Sequence, residues 1–91
     1  MKKILIIGAS GHGKVIAEAI ELGCKYSIHG YIDSFEPVGK RVLDYEILGT
    51  EDYISTLYAQ GITQGVIAIG DNWTRFLLYE KIKKLFQILN L

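Results

Sequence analysis

Apolar residues along the chain form short continuous runs that alternate with longer segments of helical spacing. Residues 3–7 are a run rich in isoleucine and leucine, typical of a central parallel strand covered on both faces. A helix is predicted from Lys14 to Gly23, where it is expected to stop. Its apolar stripe consists of Val15, Ile16, Ala19, Ile20 and Leu22. Residues 26–33 then predict a second strand that ends at Asp33.

The middle of the chain continues this alternation after a polar connection. Residues 34–46 contain the only proline and a Gly-Lys turn, which predicts a loop or a short hairpin. A brief strand is predicted at 47–49. Residues 50–60 predict a helix with Thr50 as its N-cap, and the apolar residues 65–70 predict another strand.

A last helix is predicted over 71–89, with Asp71 or Asn72 as its cap and lysines toward its end, as the helix dipole favours. The apolar pattern continues to Leu91 without a stop signal. Exposed apolar side chains at the end of a helix are expected to pack against a further domain or another chain. These side chains are Leu85, Phe86, Ile88 and Leu89.

Strands that alternate with helices predict a parallel sheet with right-handed crossovers. The predicted fold class is α/β, a small Rossmann-like parallel sheet flanked by helices. The 91 residues suffice for one domain, 1–91.

Composition and charge narrow the classes of partner. Ten basic and ten acidic residues cancel, so no net field attracts nucleic acid or an anionic membrane. The apolar run after Met1 stops at Gly8, too short for a secretory core or a membrane span. The single Cys24 is expected to be buried near the end of the first helix. We expect a cytoplasmic protein without a nucleic-acid or membrane partner.

The connection between the first strand and the first helix carries the strongest candidate site. Gly8, Gly11 and Gly13 lie where a phosphate-binding turn is expected. Gly8 permits a sharp turn, and the other two glycines bring the backbone close to a ligand and the helix close to the sheet. The Ser10 hydroxyl is a candidate phosphate donor. The same glycines also suit a tight turn that binds nothing.

Two side chains near this loop each allow a ligand-binding and a purely structural interpretation. Asp33 closes the second strand about 20 residues later, where dinucleotide-binding domains keep a ribose-binding acid. It also suits a turn in front of Ser34. His12 either donates to a pyrophosphate oxygen or is a surface histidine at a helix start.

A second loop follows the strand at 65–70. Because the carboxyl ends of parallel strands meet at one edge, Gly70, Asn72 and Arg75 are expected near the glycine loop. Asn72 is a candidate donor to a sugar or a phosphate, and Arg75 to a phosphate. Alternatively, Asn72 caps the helix and Arg75 forms a surface salt bridge. No nucleophile–base set or metal cluster is visible in the sequence, so no catalytic residue and no metal ligand are predicted.

Several segments together resemble one family. "ILIIGASGHGKVIAEAI", "GYID", "GKRVLDYEILGTED" and "VIAIGDNWTR" resemble the N-terminal domain of bacterial sugar acyltransferases of the NeuD/PglD type. These are sialic-acid O-acetyltransferases and UDP-4-amino-sugar N-acetyltransferases. The resemblance implies a UDP-sugar-binding domain whose binding residues would be Gly8, Ser10, Gly11, His12, Gly13, Asp33, Gly70, Asn72 and Arg75.

The resemblance also implies parts that do not occur in these 91 residues. Family members continue into a left-handed β-helix of hexapeptide repeats, form trimers, and bind acetyl-CoA between the β-helices. The catalytic histidine lies in that part. We therefore expect no cofactor and no transfer activity in this chain alone, which is read as truncated before the repeats.

Two alternatives remain open. The loop and Asp33 also suit a stand-alone NAD-binding domain, although the glycine spacing departs from G-x-G-x-x-G. The apolar last helix also suits an assembly module that dimerises and binds no ligand.

Overall fold

The computed structural model describes residues 1–84 and 86–89. Strands and helices alternate along most of it. The elements are β1 (Lys2–Ile7), α1 (Gly11–Gly23), β2 (Tyr26–Ile32), β3 (Arg41–Val42), β4 (Tyr45–Gly49), a 3₁₀ turn (Glu51–Tyr53), α2 (Ile54–Ala59), β5 (Gln64–Ile67), α3 (Asn72–Ile82) and β6 (Gln87–Ile88).

The described strands form one sheet in the order β3-β4-β2-β1-β5-β6. Every pair is parallel except β3 and β4. From the central strand β1 the chain moves outward through β2 and β4, then crosses back to pair β5 with the other side of β1. The α/β Rossmann-like prediction is confirmed. The reversal makes the carboxyl ends of β1 and β5 the point where such sheets bind ligands.

Two apolar cores cover the two faces of the sheet. Successive β1 residues point to opposite faces, so Ile6 packs in the core under α1 and Leu5 in the core under α2 and α3. The buried positions of α1 are Gly13, Ala17 and Ile20. None of the described helices is long and apolar enough to cross a membrane.

The first helix differs from its prediction in its start and its buried face. It begins at Gly11, so two of the loop glycines lie in its first turn. Of the predicted stripe, Ile20 is buried, whereas Val15, Ala19 and Leu22 are exposed. The helix ends at Gly23 as predicted. Cys24 follows in the left-handed conformation at φ 54°, and it is exposed, so the prediction of a buried thiol was wrong.

The prediction of one helix over 71–89 was wrong. Helix α3 ends at Ile82, and Gln87–Ile88 pair with β5 instead. The Gln87 N–H donates to the Thr63 carbonyl and the Leu89 N–H to the Gly65 carbonyl, each at 2.9 Å. The edge of β5 therefore supplies this segment with backbone hydrogen bonds in place of the i→i−4 bonds of a helix.

Of the four side chains predicted to form an exposed apolar surface at the end of the last helix, the three that the structure describes are buried or half-buried. Phe86 is only 2% exposed and packs in the core under α2 and α3. Ile88 and Leu89 are half-buried. Leu85 and the end of the chain at Leu91 lie outside the described residues. Helix α3 exposes other large apolar side chains, so the helix-paired assembly alternative stays a prediction.

The polar connection forms the predicted hairpin. Strands β3 and β4 pair through a turn in which Leu43 has φ 56°. The strand predicted at 47–49 begins earlier, at Tyr45. The helix predicted over 50–60 divides into a 3₁₀ turn and α2, and Thr50 occupies the N-cap without a side-chain hydrogen bond.

A hydrogen bond between α1 and β4 gives a titration test of this packing. The Tyr45 hydroxyl donates to the Glu21 carboxylate at 2.8 Å, and this bond raises the pKa of Tyr45 to about 12. The bond should stabilise the fold below pH ~10, the ordinary tyrosine pKa, and be lost as the pH rises through 12. In Glu21→Gln we expect the pKa of Tyr45 to fall toward ~10, measured as the part of the near-ultraviolet titration that Tyr45→Phe removes. Glu18→Gln is the control, and equal curves for all three proteins would contradict the contact.

Candidate functional site

The candidate site lies at the carboxyl ends of β1 and β5. The Gly8 N–H donates to the Ile32 carbonyl and the Ala68 N–H to the Ile7 carbonyl, each at 2.8 Å. These bonds hold the glycine loop between the ends of β2 and β5. The two loops expected to share an edge of the sheet are therefore neighbours.

Gly8 and Gly13 are required by the packing of this turn. Gly8 has φ +115°, and a Cβ there would lie 2.6 Å from the Ala68 carbonyl oxygen. A Cβ at Gly13 would lie 2.2 Å from the Gly8 carbonyl oxygen. By contrast, a Cβ at Gly11 or Gly70 would meet nothing within 4 Å. Packing of the turn therefore requires glycine at positions 8 and 13, whereas positions 11 and 70 have open space where a side chain would lie.

The first turn of α1 has no side-chain cap. Ser10 stands at the N-cap, but its hydroxyl bonds no N–H of that turn. The first N–H groups of a helix lack intrahelical acceptors, and the dipole makes this end partly positive. An anion at this end meets unused donors.

The corresponding turn of α3 is already capped. The Asp71 carboxylate accepts from the Thr74 N–H at 2.8 Å and from the Thr74 hydroxyl at 2.6 Å. These bonds lower the pKa of Asp71. Of the two caps proposed from the sequence, Asp71 is the one that forms. Its negative charge makes this turn a poor partner for phosphate.

Asp33 joins the end of β2 to the glycine loop. Its Oδ2 accepts from the Ala9 N–H at 2.9 Å, and its Oδ1 accepts from the N–H groups of Phe35 and Glu36 at 2.8 and 2.9 Å. Asp33 is thus both the turn-forming residue and a neighbour of the loop. Three of its acceptor positions are used by the protein itself, which leaves little of the carboxylate for a ribose.

The pKa of Asp33 reflects these bonds. Partial desolvation opposes the charged form, but the N–H donors of Glu36, Ala9 and Phe35, with nearby Lys40, outweigh it. The pKa of Asp33 therefore lies below its ordinary value, and the carboxylate is charged at neutral pH.

Two pockets flank the glycine loop. The carboxylate pocket, about 390 Å³, includes four predicted site residues, namely Gly8, Ser10, Asp33 and Gly70. The basic pocket, about 490 Å³, includes three others, His12, Asn72 and Arg75. Gly11 and Gly13 line neither pocket. Gly13 is buried under the turn, and Gly11 stands in the chain between Ser10 and His12.

The basic pocket lies between the start of α1, α3 and the end of β6. The Arg75 guanidinium donates to the Asn72 side-chain oxygen at 2.7 Å. Arg75 thus bonds an amide rather than the carboxylate expected for a surface salt bridge, and its charge is not neutralised by that partner. Exposed His12 stands on the opposite wall. The pocket can receive an anion together with an apolar group that contacts Ile16 or Leu89.

Several lining residues were missed from the sequence. Phe35, 96% exposed, and Glu36 follow the strand-closing aspartate directly. A large aromatic residue in a polar turn was the available signal for Phe35. Glu51 comes from the 3₁₀ turn after β4, and only the folded sheet brings it to this pocket. Among residues 1–84 and 86–89, no group of three side chains is placed to hold a metal ion.

Comparisons with known sequences and structures agree with the predicted family and fold. Residues 3–82 match the sequence profile of the PglD N-terminal domain, which confirms the resemblance noted from the sequence. No curated protein sequence gave a significant match.

Solved structures with the same fold include two acetyltransferases. Perosamine N-acetyltransferase from Caulobacter crescentus, in complex with CoA and GDP-perosamine, is 28% identical, with a TM-score of 0.89 over 99% of this chain and 42% of that chain. The acetyltransferase domain of PglB from Neisseria gonorrhoeae is also 28% identical, with a TM-score of 0.74 over 96% of this chain and 42% of that one.

A third structure shares the fold alone. UDP-D-quinovosamine 4-dehydrogenase from Vibrio fischeri is 18% identical, with a TM-score of 0.72 over 96% of this chain and 75% of that chain. The present chain spans about two fifths of the length of the two acetyltransferase chains that it matches.

Proposed function

Since the chain belongs to the PglD N-terminal domain family, we propose that it is the nucleotide-sugar-binding domain of a bacterial sugar acetyltransferase. The observation that carries the proposal is the uncapped first turn of α1 between two pockets of opposite character. A nucleoside diphosphate sugar has the matching sequence of parts: an uncharged nucleoside, two phosphates and a sugar.

Charge and hydrogen-bonding capacity support a proposed position for each part of the ligand. The diphosphate suits the N–H groups at Ser10, Gly11 and His12, because they combine unused donors with the positive end of the helix dipole. The nucleoside suits the carboxylate pocket, whose side chains accept hydrogen bonds from ribose hydroxyls and base N–H groups. The sugar then extends toward the basic pocket, where Arg75 and Asn72 present donors.

Acetyl transfer itself is assigned to the larger protein. The perosamine enzyme was crystallised with CoA as well as with GDP-perosamine. We propose that acetyl-CoA and a catalytic histidine belong to a hexapeptide-repeat domain. The present 91-residue chain would bind the sugar and present it to that domain. The UDP-sugar implied by the resemblance and the GDP-sugar bound by that enzyme are the two ligand classes to compare.

Replacing Gly11 with valine tests the ligand position without disturbing the fold. A Cβ at Gly11 meets no protein atom within 4 Å, so the variant should unfold at nearly the same temperature as the original protein. Its side chain would occupy the space assigned to the phosphates. We expect affinity for UDP- and GDP-sugars to fall at least tenfold, about 1.4 kcal/mol, in isothermal calorimetry.

Gly23→Val is the matched control, because Gly23 ends the same helix and its Cβ would also meet nothing within 4 Å. Unchanged affinity in Gly11→Val would contradict the proposal that the diphosphate binds at the start of α1. If no nucleotide sugar binds the original protein, the proposed function is wrong. Thermal protection by NAD(H) but not by nucleotide sugars would favour the dinucleotide-binding alternative.

A further inference from the structure

The carboxylate pocket has a chemical character that bears on the identity of the base. Its floor is apolar and includes Ile7, Ile32 and Leu78. Its titratable lining residues are Asp33, Glu36 and Glu51, and among the described residues no lysine, arginine or histidine lines it. Hydroxyl groups in the lining, such as that of Ser34, can also donate, but the negative charge of the carboxylates favours a group that presents hydrogen-bond donors to them.

The three carboxylates are not equally available. Asp33 is occupied by three backbone N–H groups. Glu36 is held by Lys40 in a 2.8 Å ion pair within the same loop. Glu51 meets Lys81 only at 3.4 Å, a longer and weaker contact. Glu51 is thus the carboxylate most free to accept from a ligand.

Phe35 supplies a flat apolar surface beside these carboxylates. It lines the pocket and is 96% exposed. The N–H groups of Phe35 and Glu36 are both fixed to Asp33, so the backbone that carries the ring is held in place. An exposed aromatic ring on a fixed turn is suited to stacking on a nucleobase.

The bases differ in what they offer a carboxylate. Guanine presents two adjacent donors, N1–H and the N2 amino group, which match the two oxygens of a carboxylate. Uracil presents one N3–H between two carbonyl oxygens, and these oxygens repel a carboxylate. We propose that the pocket selects guanine, an inference that rests on the proposed function. Glu51 would accept hydrogen bonds from guanine N1–H and the N2 amino group, and the Phe35 ring would stack on the base.

Calorimetry with GDP and with UDP tests the proposal on the 91-residue chain. We expect GDP to bind roughly tenfold more tightly than UDP, the effect of about one added charge-assisted hydrogen bond. Glu51→Gln should remove most of this preference, because its amide nitrogen cannot accept from guanine. Asp52 follows Glu51 in the same 3₁₀ turn but is not a lining residue of this pocket, so Asp52→Asn removes the same charge and should keep the preference.

Phe35→Ala separates stacking from edge recognition. Stacking is tolerant of the base, so both nucleotides should bind roughly tenfold more weakly with their ratio unchanged. Equal binding of GDP and UDP, or a preference for UDP, would overturn the guanine assignment and leave the proposed function standing. Equal losses of preference in Glu51→Gln and Asp52→Asn would contradict the role of Glu51 in recognising the base. If GDP, UDP, GDP-sugars and UDP-sugars all fail to bind, both the proposed function and the guanine selectivity are wrong.

Discussion

Gly13→Ala is expected to lower the free energy of unfolding by about 3 kcal/mol, at the upper end of the usual cost of overpacking a core. The new Cβ would lie 2.2 Å from the Gly8 carbonyl oxygen, and no rotamer change can relieve a clash with backbone. The start of α1 must therefore move away from β1. Stabilities of small domains lie near the lower end of 5–15 kcal/mol, so a large part of the total would be lost. Urea unfolding followed by circular dichroism measures the change.

Gly11→Ala is the matched control for this substitution. It lies two residues earlier in the same turn, and its Cβ would meet nothing within 4 Å. Its stability should stay within ~0.5 kcal/mol of the original, as is usual for exposed positions. If the Gly13 variant proved as stable as the Gly11 variant, the close approach of helix and strand would be contradicted.

Asp33→Ala is expected to have the second large effect, a loss of about 2–4 kcal/mol of stability together with nucleotide-sugar binding. The substitution removes a charged acceptor from three N–H donors, and hydrogen bonds to charged groups each contribute about 1.5–3 kcal/mol. Binding is lost because Ala9 is released, and with it the position of the glycine loop. Urea unfolding and calorimetry measure the two losses.

The pH dependence of this effect has a defined direction. Because folding lowers the pKa of Asp33 from 3.8, its contribution is complete above that pH and disappears as the pH falls through the folded-state pKa. The stability difference between the original protein and Asp33→Ala should thus be constant near neutrality and shrink in acid. Asp52→Ala, at an exposed aspartate, is the control. A difference that persists unchanged at low pH would show that the carboxylate charge is not the cause.

Local patterns in the sequence were sufficient for the central strands of the sheet and for the turn that Gly8 and Gly13 form. The apolar runs predicted β1, β2 and β5, and Asp33 was placed correctly at the end of β2. The roles of Gly8 and Gly13 followed from their position between strand and helix. Each of these features depends on neighbours close in the chain, which is why a single sequence reveals them.

Features that depend on distant partners were not predicted. The segment around Phe86 is apolar enough for a helix or a strand, and the free edge of β5 decides between them. Glu51 reaches the pocket only because β4 lies beside β2. The division of His12 and Ser10 between two pockets likewise requires knowledge of which side of the loop each side chain faces.

The strand order has a consequence for the sequence of events in folding. Strand β1 lies in the middle of the sheet, yet it pairs with β2 from Tyr26 onward and with β5 only from Gln64 onward. On a ribosome, one edge of β1 therefore remains unpaired until β5 has emerged, and such distant pairings form slowly. Ala68, which closes the turn at Gly8, follows β5 directly. The candidate site is thus among the last parts of the domain to be completed during synthesis.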